Sequence, residues 1–177
     1  AKKQIGFLPE QPPLYLEMTV REYLNFIYDL KGVKEFKRKA HLAEICEVVK
    51  ISDVRKRVIR NLSKGYKQRV GFAQALIGNP PVLILDEPTA VLTPQETDKL
   101  FTVLRNMRND GKAIVIITHK MHEVEDLSDR VAILRHGQFV GDMPTKATNA
   151  QEMTNMMVGH AVTLNIERPE PVDPKPR

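Results

Sequence analysis

Asp86 and Glu87 end an apolar run, Val82-Leu83-Ile84-Leu85, and Thr118-His119 ends a second one at 113–117. Continuous runs of this length predict strands buried on both faces of a parallel sheet. In open sheets of that kind, ligands bind beyond the carboxyl ends of the strands. Two carboxylates and an imidazole on one rim suit phosphate chemistry. Asp86 can hold Mg²⁺ directly or through water, Glu87 can polarise an attacking water, and His119 can approach a terminal phosphate from the side.

A second constellation is Leu62-Ser63-Lys64-Gly65-Tyr66-Lys67-Gln68-Arg69. Ser63 caps a predicted helix over 64–77 whose first turn carries Lys64, Gly65 and Lys67. Free amides, the helix dipole and a glycine that permits close approach all favour an anion there. Taken singly, each arrangement is also compatible with a solvated strand end or a well-capped helix. Their order and spacing carry the argument.

The elements that must position these residues are legible around them. Ile5-Gly6-Phe7-Leu8 predicts a short strand, stopped by Pro9 and the Pro12-Pro13 pair. Thr19 with Glu22 forms a capping box for a helix running to Gly32. A further helix is expected over 36–49, with Cys46 as a small core residue. Thr93, Pro94 and Glu96 give N-cap, N1 and N3 of a helix that Gly111 ends. Strand, helix, strand over 82–117 makes a βαβ unit. A short helix near 121–127 precedes a hairpin turning at His136-Gly137, and 151–158 predicts a last helix with Met153, Met156 and Met157 packed. Residues 167–177 hold four prolines and little to bury, as in a linker or disordered tail.

Composition narrows the alternatives. The 177 residues fit one domain, 42% hydrophobic and 28% charged. The single Cys46 excludes a disulfide framework and a cysteine-only zinc site. No apolar run spans a bilayer and no signal peptide opens the chain. The +5 formal charge concentrates in 1–60, with 13 basic and 8 acidic side chains, but without the interleaved aromatics that stack bases. It reads as a solvated helix face, so no direct nucleic-acid contact is expected.

In its order of motifs the chain resembles the nucleotide-binding domain of ABC-type ATPases. Leu62–Arg69 resembles the family's signature motif, 83–89 its Walker B strand with the glutamate, and Ile117-Thr118-His119 its switch histidine. Residues 5–10 resemble the strand leading into the Q-loop, and 131–141 the late hairpin. The resemblance implies a P-loop NTPase-like α/β fold: a parallel sheet with an inserted helical subdomain at about 19–78, inside a partial ATPase domain over 1–160. Residues 161–177 are then a proline-rich linker or tail.

It also implies ATP and Mg²⁺ as ligands, and a head-to-tail dimer with a second nucleotide-binding domain. Asp86 would serve the metal, Glu87 and His119 the reaction, and Glu10 and Gln11 the Q-loop position. Ser63, Lys64 and Gly65 would meet the partner's ATP. Transmembrane permease subunits are the expected partners, at the cytoplasmic face of the cell membrane. The other readings are a soluble ABC-type ATPase acting on nucleic acid or the ribosome, and a non-catalytic scaffold.

Departures from the family pattern shape what is expected of the chain. No G-x-x-x-x-G-K-[ST] loop occurs among the 177 residues; Gly111-Lys112-Ala113 lacks both its first glycine and its hydroxyl residue. With a start at Ala1 rather than Met, this suggests a fragment that lacks the N-terminal part and is inactive or nearly so alone. Glu10 stands where the family has glutamine, Lys64 and Tyr66 where glycine and glutamine are commoner, and Thr93 where many members have aspartate. Residues 5–81 resemble exporter and gliding-type ATPases. From Asp86 onward the resemblance is to nucleoside or simple-sugar importers.

Overall fold

The computed structural model describes residues 4–33 and 37–159. They divide into two compact units, one ending at His119 and one beginning at Lys120. The first contains β1 (Ile5–Leu8), α1 (Val20–Leu30), α2 (Arg38–Val48), α3 (Lys64–Leu76), β2 (Val82–Asp86), α4 (Pro94–Asn109) and β3 (Ala113–Ile117). The second contains α5 (Met121–Leu127), β4 (Arg130–Arg135), β5 (Gln138–Pro144) and α6 (Ala150–Val158). The start of the helix expected at 36, and the tail at 161–177, lie outside the described residues.

In the first unit the strands pair in parallel in the order β1-β2-β3. Leu8 is in register with Leu85, and Asp86 with Ile117, so the carboxyl ends of all three strands share one edge. The α/β class expected from the apolar runs is the one observed. Gly6 shows how closely α3 lies on β1: a Cβ there would stand 2.4 Å from the Ala75 carbonyl oxygen. Any side chain at that position forces helix and strand apart.

Burial of the sheet corrects one expectation. Leu8, Leu83 and Leu85 are at most 1% exposed, yet the opposite face carries Ile5, Phe7, Val115 and Ile117 at 39–52% exposure. β3 alternates between exposed and half-buried positions instead of lying buried on both faces. Side chains in a strand point alternately to the two faces. The helices of the first unit seal the face that carries the three leucines. Hydrophobicity specifies the strands but not what covers them.

The helical region is held by local signals and by one long-range tie. The Thr19–Glu22 capping box starts α1, whose Tyr23, Leu24, Ile27 and Tyr28 are buried. The helix stops at Leu30, two residues before Gly32, which takes a positive φ of 59°. Backbone bonds from Val20 to Arg57, Arg21 to Arg55 and Ile59 to Met18 bind the 55–59 segment against the start of α1.

Lys31, the C-cap of α1, reaches the carbonyl oxygens of Gln74 (2.8 Å), Ala75 (3.5 Å) and Ile77 (3.0 Å) at the end of α3. These include acceptors that a helix C-terminus leaves open. Lys31→Met removes this donor, leaving the Gln74 carbonyl only the Ile77 amide at 3.4 Å, and is expected to destabilise the fold by about 1–3 kcal/mol. Burial pushes the Lys31 ammonium pKa down to about 8. Between that value and the ordinary lysine pKa the unfolded chain binds the extra proton, so stability rises with pH across this window. Below pH 8 both states are protonated and the effect is flat. Urea unfolding on both sides of pH 8 should show this rise in the parent chain and its absence in Lys31→Met.

In the second unit, β4 and β5 form the antiparallel hairpin predicted at His136-Gly137, with φ of 50° and 75° at those residues. Asn149 caps α6 through the Glu152 amide. Met153 is buried, and Gly141 lies in contact range of the Met156 methyl, so these two methionines pack α6 as expected, while Met157 is half-buried.

Candidate functional site

The edge formed by the strand ends carries the first group. Glu10 and Gln11 lie exposed in the bend after β1, Asp86 closes β2, and His119 follows β3 by two residues. Glu87 donates its amide to the Ile117 carbonyl at 2.9 Å, extending the β2–β3 ladder by one residue. Its backbone then turns to a φ of 43°, the left-handed region that a non-glycine residue rarely takes. Such a conformation costs of order 1–3 kcal/mol and persists only where the surroundings impose it. Here the Ala90 amide closes a turn onto the Glu87 carbonyl at 3.1 Å, above buried Pro88 and Thr89.

That turn aims Glu87 at the next strand end. His119 Nδ1 donates to Glu87 Oε1 at 2.7 Å. Glu87 Oε2 is buried and has no hydrogen-bond partner. The two side chains differ sharply in exposure, 16% for Glu87 and 71% for His119. One carboxylate oxygen is thus fixed by the imidazole, the other is buried without a partner, and the exposed imidazole is left to meet a ligand. The structure brings Glu87 and His119 into contact and places Asp86, Glu10 and Gln11 on the same edge. Among the described residues no hydrogen bond joins Glu10 or Gln11 to that pair.

The second group is the start of α3. Ser63 Oγ accepts the Tyr66 amide at 3.3 Å, the N-cap predicted from sequence. Ser63 and Lys64 are exposed, whereas Gly65 is buried. The Tyr66 hydroxyl donates to Asp53 at 3.1 Å, and that bond raises the phenol pKa. Arg69 pairs with Glu96 at 2.7 Å. The Thr93 amide, then its hydroxyl and Arg69, hold the Glu96 carboxyl below its usual range against the opposing effect of burial. Sequence reasoning misses the Arg69–Glu96 pair. Thr93-x-x-Glu96 reads as a local capping box, and nothing in its spacing shows a partner 27 residues away.

Among the described residues no group of three or more His, Cys, Asp and Glu side chains is arranged to hold a metal ion. Mg²⁺ does not need one, since it is usually held by one or two carboxylates together with substrate phosphates and water. Asp86, at the end of β2, is a carboxylate that could serve in that way.

Comparison with known proteins places this arrangement. The sequence profile described as ABC transporter matches residues 1–90. The Ribose import ATP-binding protein RbsA of Lactococcus lactis subsp. lactis (strain IL1403) is 34% identical over 165 residues, covering 90% of this chain and 33% of that protein. ABC transporter A family member 1 of Dictyostelium discoideum is 30% identical over 165 residues, covering 93% of this chain and 18% of that protein. The solved "Structure of ATP binding subunit of ABC transporter" superposes with a TM-score of 0.78 at 23% identity, covering 89% of this chain and 69% of that one. The fold is of the P-loop NTPase-like α/β class with an inserted helical region. The chain belongs to the ABC transporter family, as part of its nucleotide-binding domain. It spans a third or less of the length of these curated relatives.

Proposed function

We propose that the chain contributes the hydrolytic carboxylates, the switch histidine and the signature helix to an ATPase that energises a membrane transporter. The observation that carries this reading is the Glu87–His119 pair: two strand ends joined at 2.7 Å, with the second carboxylate oxygen buried and unpartnered. A glutamate in that setting is built to take a proton from water that attacks a phosphorus atom.

The Glu87 carboxylate orients and deprotonates the attacking water, and the proton stays on it as the bond to the leaving ADP breaks. His119 locks Oε1 through Nδ1, while its exposed Nε2 faces the γ-phosphate. Asp86 would hold Mg²⁺, with Glu10 or Gln11 reaching the ion or its water from the neighbouring strand end. Bound there, the ion would neutralise phosphate charge. Ser63, Lys64 and Gly65 offer a capped helix start to the γ-phosphate of a second domain's ATP. The ATPase domain covers 1–160, with the helical subdomain at about 19–78 turned to permease subunits, and 161–177 forms a linker or tail.

RbsA is named for ribose import and ATP binding, and the same kind of work is proposed for this chain at the cytoplasmic face of a membrane. Among the described residues no helix is long and apolar enough to cross a membrane. A polytopic partner is therefore part of the proposal. Affinity purification in detergent is expected to recover a polytopic membrane protein with the chain. Salt-sensitive capture of RNA or DNA in its place would overturn the transporter reading.

A further inference from the structure

We propose that Glu96 is a positioning residue that ties the start of α3 to the loop between Glu87 and Thr93. One carboxylate serves both sides. Oε2 accepts the Thr93 amide at 3.0 Å and the Thr93 hydroxyl at 3.1 Å, fixing the point where the loop enters α4. Oε1 accepts the Arg69 guanidinium at 2.7 Å, one turn beyond Gly65 in α3. A Cβ placed on Gly65 would sit 3.3 Å from Oε1 and 3.5 Å from Oε2. The glycine thus has a second use besides admitting an anion: it leaves the space that the Glu96 carboxylate fills.

Packing around this contact is incomplete. A half-open pocket of about 40 Å³ lies beside this contact, where the end of α2, α3 and α4 meet Leu8, Pro88 and Leu92, and Arg69 and Glu96 stand in its wall. Gln68 is only 4% exposed, yet its Nε2 has no hydrogen-bond partner. Where apolar packing leaves a gap, the two sides can shift relative to each other. The ion pair bridges that gap with partners only 18% and 26% exposed, so it is far less screened than a surface pair. Displacement of the α3 N-terminus therefore pulls Arg69, then Glu96, then the loop that begins at the strained Glu87.

The consequence for hydrolysis rests on the function proposed above, but the tie itself does not, and amide hydrogen exchange without nucleotide reads it directly. Glu96→Gln and Arg69→Met are each expected to speed exchange at the bonded amides of Tyr66, Lys67, Ala90 and Leu92 by roughly three- to ten-fold. The double variant should add little to either, and Arg69→Lys should restore most of the protection. Thr93→Ala, which removes the α4 cap but keeps the ion pair, should speed exchange in the first turn of α4 only. Unchanged exchange at Tyr66 and Lys67 in both Glu96→Gln and Arg69→Met overturns the proposal, as does full additivity in the double variant. If Glu96→Gln does not fold, Arg69→Met against Arg69→Lys decides alone. Failure of the hydrolytic reading would appear separately, as missing ATP turnover in a chain supplied with a phosphate loop.

Discussion

Two inactive variants, Glu87→Gln and Gly65→Asp, are expected to regain ATP hydrolysis when mixed. The test uses the 177 residues preceded by a glycine-rich phosphate loop from a relative, since no such loop occurs within them. Glu87 lies in contact with His119, whereas Gly65 lies against Glu96 at the head of α3. If each nucleotide is held between one copy's strand ends and the other copy's helix start, the two lesions fall in the same composite site of a mixed dimer. The second site then keeps both intact groups. Random association leaves about a quarter of all sites whole, and turnover should recover to about that fraction. A site assembled within one copy leaves every site damaged, and mixing restores nothing. Gly65→Asp also presses a second carboxylate on Glu96, so its circular dichroism and the exchange of its Ala90 and Leu92 amides must match the parent before mixing.

Local signals in the sequence are sufficient for most elements. The Thr19–Glu22 and Thr93–Glu96 boxes, the Ser63 cap and the His136-Gly137 turn each act within a few residues, and each appears where predicted. Apolar runs specify β2 and β3 as parallel neighbours, although only β2 is buried as such a run implies. Coverage of the sheet is not legible, since hydrophobicity reports a preference for burial and not its fulfilment. The Val115 and Ile117 side chains are apolar and half exposed.

The site shows the same division. Candidate residues can be picked from strand ends and a capped helix, but their contacts cannot. Glu87 meets His119 across 32 positions, and Arg69 meets Glu96 across 27. The positive φ at Glu87 leaves no trace in residue type, because a glycine would mark it and glutamate does not. Lys31 is one more basic residue in a charged segment until α3 ends beneath it.

The largest single effect is expected at Glu87. Replacing it by glutamine keeps nearly the same shape and one contact to His119, but an amide cannot accept the proton of the attacking water. In the loop-bearing chain, Glu87→Gln should lower kcat by about 100- to 10,000-fold while leaving nucleotide affinity nearly unchanged. A loss of affinity of comparable size would point to a binding role for Glu87 and away from the reaction. His119→Ala frees the carboxylate from its only hydrogen-bond anchor among the described residues and should also reduce kcat, by a smaller factor, because the base itself remains.

The most direct measurement is steady-state Mg-ATP turnover by the 177-residue chain alone, beside the loop-bearing chain and its Glu87→Gln variant. The expected result is no saturable turnover by the chain alone, saturable turnover once the loop is supplied, and loss of that turnover in the Glu87→Gln variant. Saturable turnover by the chain alone that disappears on Glu87→Gln would contradict the account, because the carboxylates would then be working without the loop that it requires.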